Sequence, residues 1–257
     1  MNQMSKIISK VKNPALSYEE HLKNKVDFYN STHGTLVGYN CDKCLNRGLI
    51  AEVRDGKEIF IECECTEKRR AFKRLKDSGI AGSIKEKTFS SFIDTEDFQK
   101  NIKFQAAEFV KSHKNKWFFI GGQNGCGKTH ICTAIVGQLL KIGKSVRYLL
   151  WEEDVPVLKS KVNEPEYKSL ISDYQRTDVL YIDDLFKSNA TEADIRIAFQ
   201  LLDYRSRNRL CTVISSERML DEIYKINPAI GGRIIENSMK INIPKDKRKD
   251  YRLKLGG

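Results

Sequence analysis

The sequence predicts an α/β fold whose five-stranded parallel sheet carries a phosphate-binding loop and is preceded by a small cysteine-bearing module with helices. Five short apolar runs alternate with helical segments after Thr95, the pattern of a parallel sheet. A glycine-rich motif follows the first run, and four of the seven cysteines lie close together near the start. We expect residues 1–82 to form the module and residues 83–257 the α/β domain.

Length and composition suit one sizeable core of roughly 150–200 residues with an appendage. No run approaches the roughly 20 apolar residues of a membrane span, and residues 1–14 lack the apolar segment of a secretory signal. A cytoplasmic location without membrane contact is therefore expected. The net charge of +11, from 45 Lys and Arg against 34 Asp and Glu, favours a nucleic-acid partner, although a solvated basic surface explains it equally well.

The module begins with an amphipathic helix and continues as a hairpin. Residues 17–29, SYEEHLKNKVDFY, carry their apolar side chains at helical spacing. Within residues 36–66, LIAEVRDGKEIFIE contains two strand-like runs joined at Asp55-Gly56, a favoured hairpin turn. Residues 67–77 are charged and helical, and Ser78-Gly79 supplies the glycine preferred after a helix.

Two cysteine pairs flank this hairpin and indicate a zinc site. Cys41-x2-Cys44 and Cys63-x-Cys65 bring four thiols to the hairpin ends, although the second pair is tighter than usual. Four thiolates would complete the zinc shell and give it a structural role; reduced thiols without metal are the alternative. The remaining cysteines lie in apolar or glycine-rich segments and are expected to be buried without catalytic roles: Cys126, Cys132 and Cys211.

The predicted α/β domain opens with the helix DFQKNIKFQAAEFVKSH, and its strands follow. Their apolar residues do not alternate with polar ones, so both faces of the sheet should be covered. The predicted strands are residues 117–120, 145–150, 179–183, 211–215 and 239–243.

GGQNGCGKTH matches the phosphate-loop pattern G-x-x-x-x-G-K-[ST] between the first strand and a helix beginning near Lys128. Its glycines let backbone N–H groups point at phosphate oxygens, assisted by the helix N-terminus. Lys128 should reach the terminal phosphates of ATP, and the Thr129 hydroxyl should bind magnesium. The predicted nucleotide-binding residues here are Gly122, Gln123, Asn124, Gly125, Cys126, Gly127, Lys128, Thr129 and His130.

VLYIDDL supplies the acidic groups that a magnesium-dependent phosphate site requires. Asp183 ends an apolar strand, where a carboxylate holds magnesium, usually through its water shell. Asp184 faces the other way and could orient or deprotonate the attacking water; a cap on the following turn is the alternative for this residue.

An ordered set of motifs covers most of the chain. In sequence order they are Cys-x2-Cys, RLKDSGI before TF-x-x-F, GGQNGCGKTH, YIDDLF, VISSERMLDEI and AIGGRIIENS. This set resembles the AAA+ helicase loaders of the DnaC/DnaI type, particularly the phage and Firmicute versions, with the IstB transposition ATPases as close cousins.

The resemblance implies roles for single residues. Asp183 would be the Walker B magnesium carboxylate, Asp184 the catalytic acid, and Arg233 an arginine finger that reaches the γ-phosphate bound by a neighbouring copy. The chain departs from the family at sensor 1, where Ser215-Ser216-Glu217 replaces a strand ending in Thr-Ser-Asn or similar. Ionised Glu217 would repel phosphate and slow hydrolysis, so Ser216 could serve instead. An exposed residue at a helix start is the alternative for Glu217. Arg252 is a weak candidate for sensor 2.

The resemblance favours an ATP-dependent loader that binds a DnaB-type replicative helicase and single-stranded DNA and forms a homo-oligomer when assembled. An IstB-like transposition helper is the first alternative, although such helpers generally lack a zinc hairpin. A nucleotide-gated adaptor with slow turnover, motivated by Glu217, is the second. Lys159 and Lys161 are possible DNA phosphate contacts, with a solvated helix face as the alternative, and the KDKRKDYRLK tail could add nonspecific affinity or solubility.

Overall fold

The computed structural model describes residues 17–37, 40–77 and 81–254, and these divide into two compact units. The division lies between Thr66 and Glu67. The predicted functional boundary after residue 82 stays a prediction. The predicted helix end at Ser78-Gly79 lies outside the described residues.

The first unit contains helix α1 (Tyr18–Ser31) and the hairpin of β1 (Leu49–Arg54) and β2 (Lys57–Glu62). A capping box at Ser17 begins α1, which buries Leu22 and Val26. The strands pair antiparallel from Leu49 opposite Glu62 to Arg54 opposite Lys57. Asp55 and Gly56 both have positive φ, as the predicted two-residue turn requires, so the hairpin is confirmed.

Helix α2 (Cys65–Asp77) crosses the division and leads into the second unit. The further helices are α3 (Ala81–Glu86), α4 (Asp97–Ser112), α5 (Lys128–Lys141), α6 (Trp151–Ser160), α7 (Glu166–Arg176), α8 (Glu192–Arg207), α9 (Leu220–Ile226) and α10 (Pro228–Asn237). The strands are β3 (Trp117–Gly122), β4 (Val146–Leu150), β5 (Val179–Asp183), β6 (Cys211–Ser216) and β7 (Ser238–Ile243). Two 3-10 turns, Lys247–Lys249 and Tyr251–Lys254, follow β7. None of the helices in the described ranges has the length and apolar character of a membrane span.

The five strands form one parallel sheet in the order β4-β5-β6-β3-β7, which confirms the predicted α/β architecture. Strand β6 therefore lies between β3, which precedes the glycine-rich loop, and β5, which ends at Asp183. Apolar clusters cover both faces, one built with α4 and α5 and the other with α6 to α10. The carboxyl ends of the strands thus meet at one edge, where ligands bind in such sheets.

Arg205 links α7, β5 and β6 at the amino-terminal edge of the sheet. Its side chain is fully buried and donates to the carbonyl oxygens of Tyr174, Gln175 and Thr177 at 2.9–3.1 Å. It also donates to the Thr212 hydroxyl at 2.9 Å. Burial lowers the pKa of this guanidinium to about 10, so it stays charged at neutral pH. One cation therefore satisfies carbonyl groups between α7, β5 and β6.

Arg205→Met should lower the free energy of unfolding by about 3 kcal/mol or more, because several buried carbonyls lose their donor together. Arg196→Met, an exposed position on the same helix, should change it by less than about 0.5 kcal/mol. Urea denaturation followed by circular dichroism measures both. Equal effects of the two substitutions would contradict this role for Arg205.

Candidate functional site

The glycine-rich loop leaves strand β3, which lies next to the central strand β6, at the carboxyl edge of the sheet. Gly122 has φ +107°, and a Cβ there would lie 2.0 Å from the carbonyl oxygen of Ile243. Gly127 has φ +93° and precedes α5, where a Cβ would lie 2.8 Å from the Phe92 ring. These two positions accept only glycine, because side chains would both clash and strain the backbone. The loop therefore ends with its N–H groups at a helix N-terminus, the arrangement that binds phosphate.

Lys128 lies inside this loop rather than in solvent. Its side chain is buried, and Nζ donates to the carbonyl oxygens of Gly122 at 2.9 Å and Gln123 at 2.7 Å. These neutral acceptors hold the ammonium at the mouth of the loop. Phosphate oxygens are stronger acceptors for a cation, so nucleotide can replace the carbonyls without a large movement of the lysine.

The Asp183 carboxylate contacts side chains from α5, β4 and β6. Its carboxylate accepts hydrogen bonds from Thr129 at 3.3 Å and from Tyr148 at 3.0 Å, and a third from Ser215. Burial and the charge of Asp183 raise the pKa of Tyr148, so its hydroxyl stays protonated as a donor. The Thr129 hydroxyl and this carboxylate are hard oxygen ligands side by side and fit magnesium. Tyr148 and Ser215 were missed by sequence reasoning, because only the strand order brings β4 and β6 to Asp183.

Asp184 follows β5 in a left-handed conformation, with φ +59°. Its backbone N–H donates to the Ser215 hydroxyl at 3.0 Å, which fixes the turn. Its carboxylate accepts from Lys187 at 2.8 Å, and the same ammonium lies 3.6 Å from Glu217. The hydrogen bond to Asp184 chiefly raises the pKa of Lys187, so this lysine is charged at neutral pH. Sequence reasoning missed Lys187, because it belongs to no recognised motif and a lysine in a turn is usually solvated.

Two residues assigned to the nucleotide site have other contacts in the structure. The Ser216 hydroxyl is buried and donates to the carbonyl of Leu185, so Ser215 rather than Ser216 lies against the acidic pair. The His130 ring lies 3.0 Å from the carbonyl oxygen of Thr88 and packs edge-on against Phe92. Burial lowers the pKa of His130, which favours the neutral ring as donor to Thr88.

The segment after β7 folds against the loop while Lys245, Lys247 and Arg248 stay exposed, and its contribution to nonspecific affinity or solubility stays a prediction. The Asp246 N–H donates to the Gln123 side chain at 2.8 Å, and the Tyr251 N–H donates to the Gly125 carbonyl at 3.0 Å. Asn124 lines an open cavity of about 550 Å³ here, together with Gly122, Gln123, Lys187, Glu217, Arg218, Glu222, Lys245, Asp246 and Lys247. The side chain of Arg252 lies outside the described part of the chain.

Arg233 projects from α10 and is held by α8. Its Nε donates to Asp203 at 2.9 Å, Nη1 donates to the Ala229 carbonyl, and the guanidinium lies 4.7 Å from the centre of the Phe199 ring. The second oxygen of the Asp203 carboxylate pairs with Arg207. These contacts place Arg233 at a surface cavity formed by α8 and α10, apart from the residues that line the loop cavity.

The two lysines considered for DNA contact are paired within the chain. Lys159 lies 2.6 Å from Asp194, and Lys161 lies 3.2 Å from Glu164. Their charge is therefore partly neutralised, which supports the alternative of a solvated helix face.

The cysteines of the first unit form one buried cluster. Their four sulfur atoms lie within 4.8 Å of one another, with Cys41 and Cys63 3.7 Å apart and Cys44 and Cys65 3.5 Å apart. Tetrahedral zinc with sulfur ligands at about 2.3 Å requires sulfur separations of about 3.8 Å, so this donor set fits zinc.

The surroundings of the cluster favour thiolate at Cys44, whereas burial raises the pKa of Cys63 to about 12. The N–H of Gly48 lies 3.3 Å from the Cys44 sulfur. Although burial acts in the opposite direction, this bond and the neighbouring thiols lower the pKa of Cys44 to about 6. The other three cysteines are buried as expected, and burial raises the pKa of each thiol: Cys126, Cys132 and Cys211.

Comparison with known proteins identifies the family to which this chain is similar. The model for IstB-like ATP binding proteins matches residues 61–254. The chain is 32% identical over 188 residues to the uncharacterized protein YqaM of Bacillus subtilis, a match that covers 67% of this chain and 59% of YqaM. It is 24% identical over 172 residues to the replicative helicase loader DnaC of Escherichia coli, covering 65% of this chain and 68% of DnaC.

A crystal structure of the DnaC helicase loader superimposes with a TM-score of 0.57 at 18% identity, over 63% of this chain and 98% of the other. At this identity the likeness concerns the fold. The predicted AAA+ fold class is confirmed.

Cys44→Ser should remove zinc, because a hydroxyl is a poor zinc ligand and three thiolates leave the shell incomplete. We expect about one zinc per chain in the unsubstituted protein and less than about a fifth of that in the variant. Elemental analysis by mass spectrometry measures the content. Cys211→Ser is the control and should keep full zinc; wild-type protein without bound zinc would refute the metal assignment.

Tyr148→Phe should weaken magnesium-dependent ATP binding about tenfold, because Asp183 loses a hydrogen bond that orients its carboxylate. Affinity for a fluorescent ATP analogue, titrated with magnesium and with EDTA, gives the comparison. Tyr167→Phe removes a hydroxyl that donates to Gln200 at 2.7 Å instead and should leave affinity unchanged. An equal loss in both variants, or none in Tyr148→Phe, would exclude this supporting role.

Proposed function

Because this chain belongs to the family of IstB-like ATP-binding proteins, we propose that it is an ATPase that loads a DnaB-type replicative helicase onto single-stranded DNA. One observation favours a helicase loader over the other members of the family. The family model begins at residue 61, whereas Cys41, Cys44 and the first hairpin strand precede it. The first unit, which carries the four-cysteine cluster and is called the cysteine-stapled unit below, is thus added to the ATP-binding domain that the family shares. An added unit of this kind is suited to bind a specific partner.

The residues at the carboxyl edge support ATP hydrolysis. Lys128 and the loop N–H groups would hold the phosphates, and Thr129 with Asp183 would hold magnesium, which when bound neutralises charge on the terminal phosphates. Asp184 would orient the attacking water and accept its proton. The new bond joins the water oxygen to the γ-phosphorus while the bond to the β,γ-bridging oxygen breaks, so ADP leaves with that electron pair and inorganic phosphate forms.

The position of Arg233 supports a site shared between copies of the chain. Its guanidinium is held at the α8–α10 cavity by Asp203 and Phe199. A neighbouring copy that docks its loop there would receive this cation at the γ-phosphate, where positive charge stabilises the transition state. The contact with Asp203 keeps the side chain ordered, which reduces the entropy lost when the interface forms. We therefore propose a homo-oligomer as the active assembly.

The charges divide between the two units. Residues 67–257 contain 36 Lys and Arg against 25 Asp and Glu, whereas residues 1–66 contain 9 against 9. DNA contact therefore belongs to the ATPase domain. The first unit instead has an exposed aromatic face: Phe28 is 74% exposed and Phe60 is 48% exposed, beside Tyr29. Exposed aromatic side chains of this kind anchor protein partners, so we assign the helicase contact to this face.

The alternatives differ in partner and in turnover. A transposition helper would bind a transposase and duplex DNA, and the IstB-like family description favours it. A nucleotide-gated adaptor would bind ATP but turn it over only slowly. Its support is Glu217 at the edge of the loop cavity. The cysteine-stapled unit favours the helicase loader over both.

Phe28→Ser should reduce capture of the host's hexameric replicative helicase at least tenfold, since a well-packed aromatic anchor commonly contributes that much affinity. Co-purification of the two proteins with ATP and magnesium measures it. Phe104→Ser, which alters a 65% exposed phenylalanine on α4, is the matched control and should bind normally. Zinc content and ATP affinity should be unchanged in both variants.

Failure of the unsubstituted protein to bind the helicase would refute the loader function. Equal binding by both variants would refute only the assignment to the aromatic face. Capture of a transposase in place of the helicase would favour the transposition helper.

A further inference from the structure

The structure alters the interpretation of Glu217. As an isolated carboxylate beside the phosphate loop, it would repel nucleotide. In the structure it shares the Lys187 ammonium with Asp184, at 3.6 Å and 2.8 Å respectively. Lys187 and Glu217 both line the cavity that the first loop residues, Gly122 to Asn124, also line. One cation therefore bridges two carboxylates next to the expected position of the γ-phosphate.

Asp184 and Lys187 differ in their freedom to move. The Asp184 backbone is fixed by its bond to Ser215. Lys187 has a flexible four-carbon side chain that is 43% exposed. Its ammonium already lies within ion-pair distance of both carboxylates, so transfer from one to the other needs only side-chain rotation.

We propose that Lys187 masks the carboxylate of Asp184 and that Glu217 is the positioning residue that draws Lys187 away, releasing Asp184 to accept the proton of the attacking water. This inference rests on the proposed ATPase activity and assigns a control to the same site. A carboxylate oxygen that accepts a charge-assisted hydrogen bond from lysine is a poor acceptor for a water proton. When Glu217 holds the ammonium, that oxygen is free, and the proton passes from water to Asp184 as the γ-phosphate is transferred.

The masking model and phosphate repulsion predict opposite results for Glu217→Gln. If Glu217 only repels phosphate, its neutralisation should tighten ATP binding and raise turnover whether or not Lys187 is present. If Glu217 competes for Lys187, neutralisation leaves the lysine on Asp184 and lowers turnover, but only while Lys187 is present. A double-mutant cycle separates these cases, because coupled residues give non-additive effects.

The experiment measures kcat and KM for ATP in the full-length chain with single-stranded DNA, together with direct nucleotide affinity. We expect Lys187→Gln to raise kcat about tenfold, the factor for release of one charge-assisted hydrogen bond, with little change in KM or affinity. Glu217→Gln should lower kcat about tenfold in the wild-type background and have no effect in the Lys187→Gln background. Lys187→Arg keeps the ion pair and should keep the wild-type kcat.

Lys111→Gln is the matched control. Lys111 is paired with Glu108 at the same sequence spacing as Lys187 with Asp184, at 2.7 Å and 2.8 Å respectively, and its substitution should leave every constant unchanged. A decrease of kcat in Lys187→Gln would overturn the proposal, because the lysine would then assist the reaction. An equal effect of Glu217→Gln in both backgrounds, in either direction, would also overturn it.

Failure of the proposed ATPase activity can be distinguished from failure of the masking proposal. Wild-type protein without turnover would contradict that activity as stated. Masking would still be supported if Lys187→Gln hydrolysed ATP and Lys187→Gln with Asp184→Asn did not. It would be overturned if Lys187→Gln were also inactive while binding ATP normally.

Discussion

The hydrogen bonds that converge on the Asp183 carboxylate are the interaction on which the nucleotide site depends. They come from Thr129 at the start of α5, Tyr148 on β4 and Ser215 on β6. Because the carboxylate is buried, its charge must be met by donors within the protein. Each donor is therefore ordered, and the carboxylate fixes the loop helix against the neighbouring strands. The Ser215 hydroxyl also accepts from the Asp184 N–H, so the same network sets the turn that carries the second aspartate.

Much of this architecture could be predicted from local sequence. The apolar runs located all five strands, and the glycine pattern located the loop, because φ values such as +107° at Gly122 exclude other residues. The hairpin turn at Asp55-Gly56 and the cysteine spacing were similarly local. In each case the chemistry of a few adjacent residues determines the structure.

Contacts between distant segments could not be predicted in this way. Tyr148 meets Asp183 only because β4 and β5 are neighbours in the sheet, and a tyrosine in an apolar strand gives no such signal. The pairing of Lys187 with Asp184 and Glu217 depends on the left-handed turn after β5. The sequence led us to assign a site role to Ser216, but Ser215 is the residue beside Asp183. Side chains alternate between the two faces of a strand, and the sequence alone does not show which of two adjacent hydroxyls faces the site. The resemblance singled out Arg233 without indicating that Asp203 holds it.

We infer that Lys128, Thr129 and Asp183 form one phosphate and magnesium site in which Asp183 is the fixed point. A crystal structure of Asp184→Asn with ATP and magnesium tests it most directly. We expect the Lys128 ammonium to leave the carbonyls of Gly122 and Gln123 for the phosphates. We also expect the magnesium to lie between Thr129 and an Asp183 whose bonds to Tyr148 and Ser215 are unchanged. Nucleotide bound elsewhere, or Lys128 still held by the two carbonyls with ATP in the loop, would contradict it.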